Sequence, residues 1–194
     1  MSASANTKSI CNHADGFSFV DNDGYKYISV KGLCTAIPGT GVGREASDIF
    51  FSTTYPDNGG MAILSDTISE LNVRILYGID CKVLESIREQ YPDIPIRCNV
   101  TDIIMDIRQS DKDAIAAVPN GENADIIAVQ DGRLMLLKQV PADTYRLLYN
   151  ITKIWKEFGF NTGKARIRLY GLQENTGLVS GLVQMTGEDT LCVL

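Results

Sequence analysis

The chain has 194 residues, of which 44% are hydrophobic and 22% charged, a composition typical of a globular protein with its own core. Its net charge of −6, with scattered lysine and arginine, argues against a nucleic-acid partner because the phosphate backbone would be repelled. Five cysteines without a C-x-x-C pair and a single histidine, His13, argue against a disulfide framework, a metal site and histidine-based nucleophilic catalysis. No apolar run approaches the roughly 20 residues that cross a bilayer, so we expect a cytoplasmic protein without membrane insertion.

The chain begins with a polar segment that is followed by a β-hairpin. Residues 1–14 are mostly small and polar, a composition that predicts a disordered tail. Apolar residues then alternate over 17–20 and 25–30, on either side of the turn-forming sequence Asp21-Asn22-Asp23-Gly24. We therefore expect ordered structure from about residue 15, starting with a hairpin.

A strand-helix unit follows in the middle of the chain. Residues 44–51 predict a short helix, and residues 61–64 and 73–79 predict strands, the second rich in β-branched and aromatic side chains. Asp80 is placed to cap the N-terminus of the next helix, which Pro92 ends.

The next elements lead to a predicted boundary between two lobes. Residues 94–98 predict a short strand, and Thr101 is placed to cap a helix that the polar residues 109–112 end. We expect the boundary at this point, which gives lobes of residues 15–110 and 111–194.

The second lobe is predicted to contain strands, a long helix and two further segments. The strands are 114–118, 125–130 and 133–140, the last two joined by the favoured two-residue turn Asp131-Gly132. Apolar residues recur at helical spacing from about Ala142 to Phe158, and Gly159 is placed to stop the helix. A strand at 166–170 follows, and 177–185 predicts either a strand or a short helix. Because strands and helices alternate, the pattern indicates an α/β or α+β fold rather than a helical bundle.

The hairpin, helix and strand between Ile126 and Gly171 resemble the second lobe of proteins in the superfamily of actin, Hsp70 and sugar kinases. The matching segments are 126–137, 143–151 and 168–171. Residues 75–80 and the helix after them are similar to a bacterial family of unknown function with this fold, and the chain also resembles pilus-assembly actin-like proteins. The resemblance implies two small ribonuclease-H-like lobes, each with a mixed sheet flanked by helices.

The resemblance also implies where a nucleotide would bind. In that superfamily two hairpin turns, usually Asp-x-Gly, hold the β- and γ-phosphates. The corresponding residues here are Asp21, Asp23, Gly24, Asn120 and Gly121 in the turns, with Gly171 and Gly177 on the adenosine side. Pro119 stands in place of the second aspartate and offers neither an N–H nor a carboxylate, while Glu122 would repel phosphate. These departures imply a degenerate nucleotide site without catalytic residues.

A second candidate site is the glycine-rich loop before the helix at 44–51. Gly39, Gly41 and Gly43 precede Arg44, where backbone amides and the helix dipole would favour an anion. The loop lacks the Gly-Lys-Ser/Thr of a Walker A sequence and the full dinucleotide fingerprint. A surface loop is the favoured interpretation, and an anion site stays open.

Two pairs of side chains share helix faces at a spacing of four residues. Asp102 and Asp106 form an acidic pair that we expect to lie on solvated surface rather than to bind a metal. Tyr145 and Tyr149 lie at the edge of the apolar face of the long helix, where exposed aromatic side chains would form a docking patch for a partner.

The sequence therefore favours a non-catalytic, actin-like interaction or scaffold protein. We expect no cofactor and an unidentified protein partner, with a homodimer left open. The alternative is a divergent kinase or ATPase that binds ATP and magnesium at the residues implied by the resemblance. A weaker alternative is a module that binds small anions.

Overall fold

A computed structural model of the protein describes residues 8–12, 17–22 and 25–194 and divides the chain into two compact units, Met1–Asp102 and Ile103–Leu194. Both units combine β-sheet with helices, and the predicted α/β fold class is confirmed. The division falls inside a helix, whereas the sequence predicts it between residues 110 and 111. The reason is that the two ends of this helix bond separately, Thr101 to Asp66 in the first unit and Asp106 to Arg168 in the second.

The N-terminal unit contains two sheets in the part that the structure describes. Its elements in chain order are β1 (Lys8–Asn12), β2 (Phe17–Asn22), β3 (Tyr25–Val30), β4 (Cys34–Pro38), α1 (Arg44–Thr54), β5 (Met61–Ile68), β6 (Val73–Asp80), α2 (Cys81–Gln90), β7 (Ile96–Cys98) and the beginning of α3 (Asn99–Ser110). One sheet has the order β1-β2-β3-β7, in which only β3 and β7 are parallel. The other is antiparallel, with the order β4-β6-β5.

The predicted hairpin is confirmed by the antiparallel pairing of β2 with β3. Residues 8–12, which the composition predicts to be disordered, instead form β1 and pair with β2. The free edge of β2 supplies backbone hydrogen-bond partners that composition cannot reveal. The rest of the predicted tail lies outside the described residues.

Of the two predicted helix caps, one is confirmed and the other is wrong. Asp80 caps α2 as predicted, because its Oδ1 accepts hydrogen bonds from the backbone N–H groups of Lys82 at 2.8 Å and Val83 at 3.3 Å. The predicted cap at Thr101 is wrong, since α3 already begins at Asn99. Thr101 is buried inside the helix and donates its hydroxyl to Asp66 at 2.8 Å.

The C-terminal unit is built on one mixed sheet. After the remainder of α3, its elements are β8 (Ala114–Asn120), β9 (Asn123–Gln130), β10 (Arg133–Pro141), α4 (Thr144–Glu157), β11 (Arg166–Leu169), α5 (Thr176–Thr186) and β12 (Leu191–Val193). The sheet order is β10-β9-β8-β11-β12, with β8 to β10 antiparallel and β8, β11 and β12 parallel. The segment for which sequence left strand or helix open is the helix α5.

The core of the C-terminal unit lies between this sheet and the helices α4 and α5. The predicted apolar face of α4 is confirmed, because Leu147, Ile151, Ile154 and Trp155 are buried. The turn between β9 and β10 has positive φ at both central residues, 49° at Asp131 and 70° at Gly132, as a twisted two-residue hairpin requires. Among the described residues, none of the helices combines the length and apolarity needed to span a membrane.

Candidate functional site

The predicted second phosphate turn is a tight hairpin between β8 and β9. Asn120 pairs with Asn123, so only Gly121 and Glu122 form the loop. Gly121 has a φ of 64°, and glycine at the first loop position is the preference of one of the two favoured hairpin turns. The shape of this turn therefore follows from strand pairing, and Glu122 is exposed at its tip.

A buried carboxylate beside this turn holds the side chain of Asn120. Asp125 on β9 is fully buried, and its Oδ2 accepts a hydrogen bond from Nδ2 of Asn120 at 2.9 Å. Its Oδ1 accepts one from Nε2 of Gln139 on β10 at 3.2 Å. A buried carboxyl group needs such partners, so the network ties the turn to the sheet. Asp125 was missed by sequence reasoning, although an aspartate within an apolar strand was the available signal.

The structure brings Gly171 to the same edge of the sheet as this turn. β8 and β11 are parallel neighbours, and a Cβ added to Gly171 would lie 3.8 Å from Cγ of Pro119. The chain leaves β8 toward β9 on one side and β11 toward β12 on the other. Such a switch point, at the carboxyl ends of parallel strands, is where ligands bind in open α/β sheets.

Gly177 lies in the first turn of α5, which follows β11. A Cβ at this position would lie 3.3 Å from Cγ2 of Thr144, at the start of α4. Asn175 caps α5 by accepting a hydrogen bond from the N–H of Leu178, and it also bonds to the hydroxyl of Thr144. Close packing of α5 against α4 therefore gives Gly177 a structural role in addition to the predicted adenosine-side role.

The residues predicted for the first phosphate turn belong to the N-terminal unit. Asp21 lies at the end of β2, half-exposed, with its carboxylate 3.8 Å from Nζ of Lys26 across the hairpin. Asp23 and Gly24 lie outside the described residues. No group of three or more histidine, cysteine, aspartate or glutamate side chains that could hold a metal ion is found in the described part of the chain.

One of the amides in the predicted anion loop already has a partner within the protein. The N–H of Gly39 donates to the carbonyl oxygen of Asn72 at 2.7 Å, and a Cβ at Gly39 would lie 2.8 Å from the backbone of Asn72. Gly41 is exposed, and the carbonyl oxygen of Gly43 accepts bonds from both N–H and hydroxyl of Ser47. Arg44 begins α1 and is exposed.

A polar cluster in the N-terminal unit, missed by sequence reasoning, centres on Asp66 of β5. Its Oδ2 accepts hydrogen bonds from the N–H of Cys98 and the hydroxyl of Thr101, both at 2.8 Å, and its Oδ1 accepts one from Tyr77 at 3.2 Å. Burial raises the pKa of Asp66, although these three hydrogen bonds act in the opposite direction. The cluster fastens β7 and the start of α3 to β5.

The expectation of a solvated Asp102 is wrong. Its side chain is 25% exposed and lies 3.4 Å from the guanidinium of Arg97, which stacks over the ring of Tyr27 at 5.1 Å. Burial raises the pKa of Asp102 to about 6, while Arg97 and the hydroxyl of Tyr27 lower it. The burial of Tyr27 itself, together with the charge of Asp102, raises the pKa of Tyr27.

The raised pKa of Asp102 predicts a pH-dependent stability. An aspartate in an unfolded chain has a pKa of about 3.9. Between about pH 4 and about pH 6 the folded protein therefore keeps a proton that the unfolded chain releases. The free energy of unfolding should fall by roughly 2 kcal/mol as the pH rises through this window, and Asp66 should act in the same direction.

Chemical denaturation of wild type and Asp102→Asn across this pH range tests the prediction. The variant should show a flatter pH dependence, because asparagine has no proton to lose. Asp57→Asn, at an exposed carboxylate, is the matched control and should keep the wild-type slope. Equal slopes for wild type and Asp102→Asn would contradict the assignment.

Taken together, the mixed sheets, the helices that flank them and the switch point define a protein with the actin-like ATPase fold. A family model described as Protein of unknown function (DUF3822) matches residues 25–184, so the chain belongs to that family. The similarity to pilus-assembly actin-like proteins stays a prediction.

A solved structure supports the fold. The chain is similar to a Bacteroides thetaiotaomicron protein with actin-like ATPase fold and unknown function, with a TM-score of 0.73 and 20% sequence identity. The match covers 86% of this chain and 66% of that protein, so the chain spans slightly less than two thirds of its length. At this identity the likeness shows the fold alone. A comparison with curated proteins gave no match.

Proposed function

We propose that the chain is a non-catalytic, cytoplasmic, actin-like interaction protein. The observation that carries the proposal is the state of the second phosphate turn. Pro119 has neither an N–H nor a carboxylate to offer, and the amide of Asn120 donates to the buried Asp125. A phosphate at this turn would also meet the carboxylate of Glu122. Phosphoryl transfer depends on placed donors and cations, and this turn offers an anion in their place.

An exposed aromatic pair supports the role in interaction. Tyr145 is 85% exposed and Tyr149 is 64% exposed on the outer face of α4. Two tyrosines one helical turn apart provide a large contact area at small entropic cost, and tyrosine is enriched among residues that dominate binding energy. The partner is an unidentified protein, and a second copy of the chain is a further candidate.

Calorimetric titration with ATP and magnesium tests the loss of nucleotide binding. We expect no saturable heat for the wild-type protein, because Pro119 offers no N–H, the side chain of Asn120 is bonded to Asp125 and Glu122 would repel the phosphates. Pro119→Asp should not restore binding, since Asn120 stays bonded to Asp125. Saturable binding in the micromolar range by the wild type would overturn the proposal.

A divergent ATP-binding kinase or ATPase is the second candidate. The observation in its favour is that Gly171 and the Pro119 turn share the switch-point edge of the sheet. In this case Asp21, Asn120 and Gly121 would contribute to the nucleotide site. A turnover assay on Asp21→Asn tests the mechanism, because unchanged activity would remove Asp21 from it.

A further inference from the structure

A cleft of about 400 Å³ lies between α1 and the strands β5 and β6 of the N-terminal unit. Its volume is within the range of roughly 300–1,000 Å³ that small-molecule sites occupy. The residues that line it are Arg44, Ser47, Asp48, Ile63, Leu64, Ser65, Arg74 and Leu76. Cationic and apolar side chains thus share one cleft, the combination that sites for small organic ligands use.

Two arginines from different elements meet at this cleft. Neither Arg44 on α1 nor Arg74 on β6 forms an ion pair with any residue that the structure describes. Nη2 of Arg74 donates to the carbonyl oxygen of Val42 at 2.6 Å, which fixes this guanidinium at the wall and leaves further N–H groups for a ligand. Asp48 is the one carboxylate among the lining residues, so the lining keeps a net positive charge.

Besides an anionic group, the lining calls for an apolar one, because part of it is apolar. Leu76 belongs to the core, and Ile63, on the same face of the sheet, is half-buried at the cleft. A purely apolar molecule would leave the two guanidinium groups without a counter-charge. A bare inorganic anion would leave the apolar surface in contact with water. A ligand that carries both an anionic group and an apolar body satisfies the whole lining.

We propose that this cleft binds a small organic anion, a carboxylate or a phosphate ester attached to a short apolar body. Arg44 and Arg74 bind the anionic group, since guanidinium donors match the geometry of carboxylate and phosphate oxygens. Ile63 and Leu76, which share the cleft face of the sheet, contact the apolar body. The site differs from the predicted glycine loop, with which it shares only Arg44, and it does not rest on the proposed function.

Calorimetric titration of the full chain with four probes tests the proposal. The probes are hexanoate, hexyl phosphate, inorganic phosphate and 1-hexanol. We expect saturable binding of at least one hexyl anion, and binding at least about tenfold weaker for inorganic phosphate and for 1-hexanol. Comparison of hexanoate with hexyl phosphate decides between the two anionic groups. Inorganic phosphate or 1-hexanol binding as tightly as both hexyl anions, or no saturable binding of either anion, would overturn the proposal.

Variants then locate the site. Arg44→Gln should weaken binding of the hexyl anion at least about tenfold. Because Arg44 is exposed, the substitution should leave the fold intact. Ile63→Thr should weaken the hexyl anion while leaving the weak binding of inorganic phosphate unchanged, because it shortens the apolar side chain on the cleft face of β5. Lys82→Gln removes an exposed cation of the same unit outside the cleft and is the matched control. Wild-type affinity in Arg44→Gln would place the anion elsewhere.

Discussion

Gly32→Ala is expected to destabilise the N-terminal unit by about 3 kcal/mol. A Cβ built on Gly32 would lie 2.2 Å from the carbonyl oxygen of Gly78 on β6, far inside contact distance. The atom it meets belongs to backbone, and the neighbouring N–H of Gly78 is itself bonded to the carbonyl oxygen of Leu33 at 2.9 Å. The segment between β3 and β4 would have to move away from β6 to admit a methyl group, because the atom in contact is backbone and no flexible side chain can yield.

Chemical denaturation of Gly32→Ala measures this effect, with Gly59→Ala as the matched control. An added Cβ at Gly59 meets nothing within 4 Å, so this variant should stay within about 0.5 kcal/mol of wild type. A midpoint for Gly32→Ala equal to that of the control would show that the two backbone segments do not approach as described.

Arg168→Met is expected to cost the C-terminal unit about 3 kcal/mol, because it leaves a partly buried carboxylate without its partner. The Arg168 side chain is only 11% exposed. Its Nε and Nη2 both donate to Oδ2 of Asp111, at 2.8 and 2.6 Å, and the Asp111 side chain is 17% exposed. Its Nη1 donates to Oδ2 of Asp106 at 2.6 Å, and Tyr170 donates its hydroxyl to the same oxygen. Asp106 is half-exposed, so most of the cost should come from Asp111.

A double variant separates the loss of a partner from a loss of packing. Adding Asp111→Asn to Arg168→Met removes the stranded charge and should recover part of the lost stability. Arg133→Met, at an exposed position on β10, is the control and should be nearly neutral. No recovery in the double variant would mean that the cost of Arg168→Met does not come from the buried carboxylate.

Features of the fold with local causes could be predicted from the sequence. The apolar period of α4, the cap of α2 at Asp80 and the Asp131-Gly132 turn each depend on residues within a few positions of one another. Such patterns fix backbone conformation directly, because side-chain direction and φ preference follow from short-range geometry. The alternation of strands and helices indicated the fold class, and the resemblance added the actin-like fold, which the solved structure confirms.

Features with distant partners could not be predicted in the same way. Thr101 has the residue type of a helix cap, yet its hydroxyl donates a hydrogen bond to Asp66, which lies 35 positions earlier in the chain. The spacing of Asp102 and Asp106 is typical of a solvated helix face, yet burial near Arg97 and Tyr27 raises the pKa of Asp102 to about 6. β1 forms by pairing with the edge of β2, and the composition of residues 8–12 carries no information about that pairing.

The same distinction between local causes and distant partners applies to the candidate sites. The sequence by itself determined that Pro119 brings neither an N–H nor a carboxylate to the second turn and that Glu122 brings a negative charge, since both are matters of residue type. Only the tertiary structure decided that Asp125 holds Asn120, that Gly171 lies beside Pro119 and that Arg44 shares a cleft with Arg74. The physical reason is that a residue's chemistry is local, whereas its partner, its burial and therefore its charge state depend on chain segments that folding alone brings together.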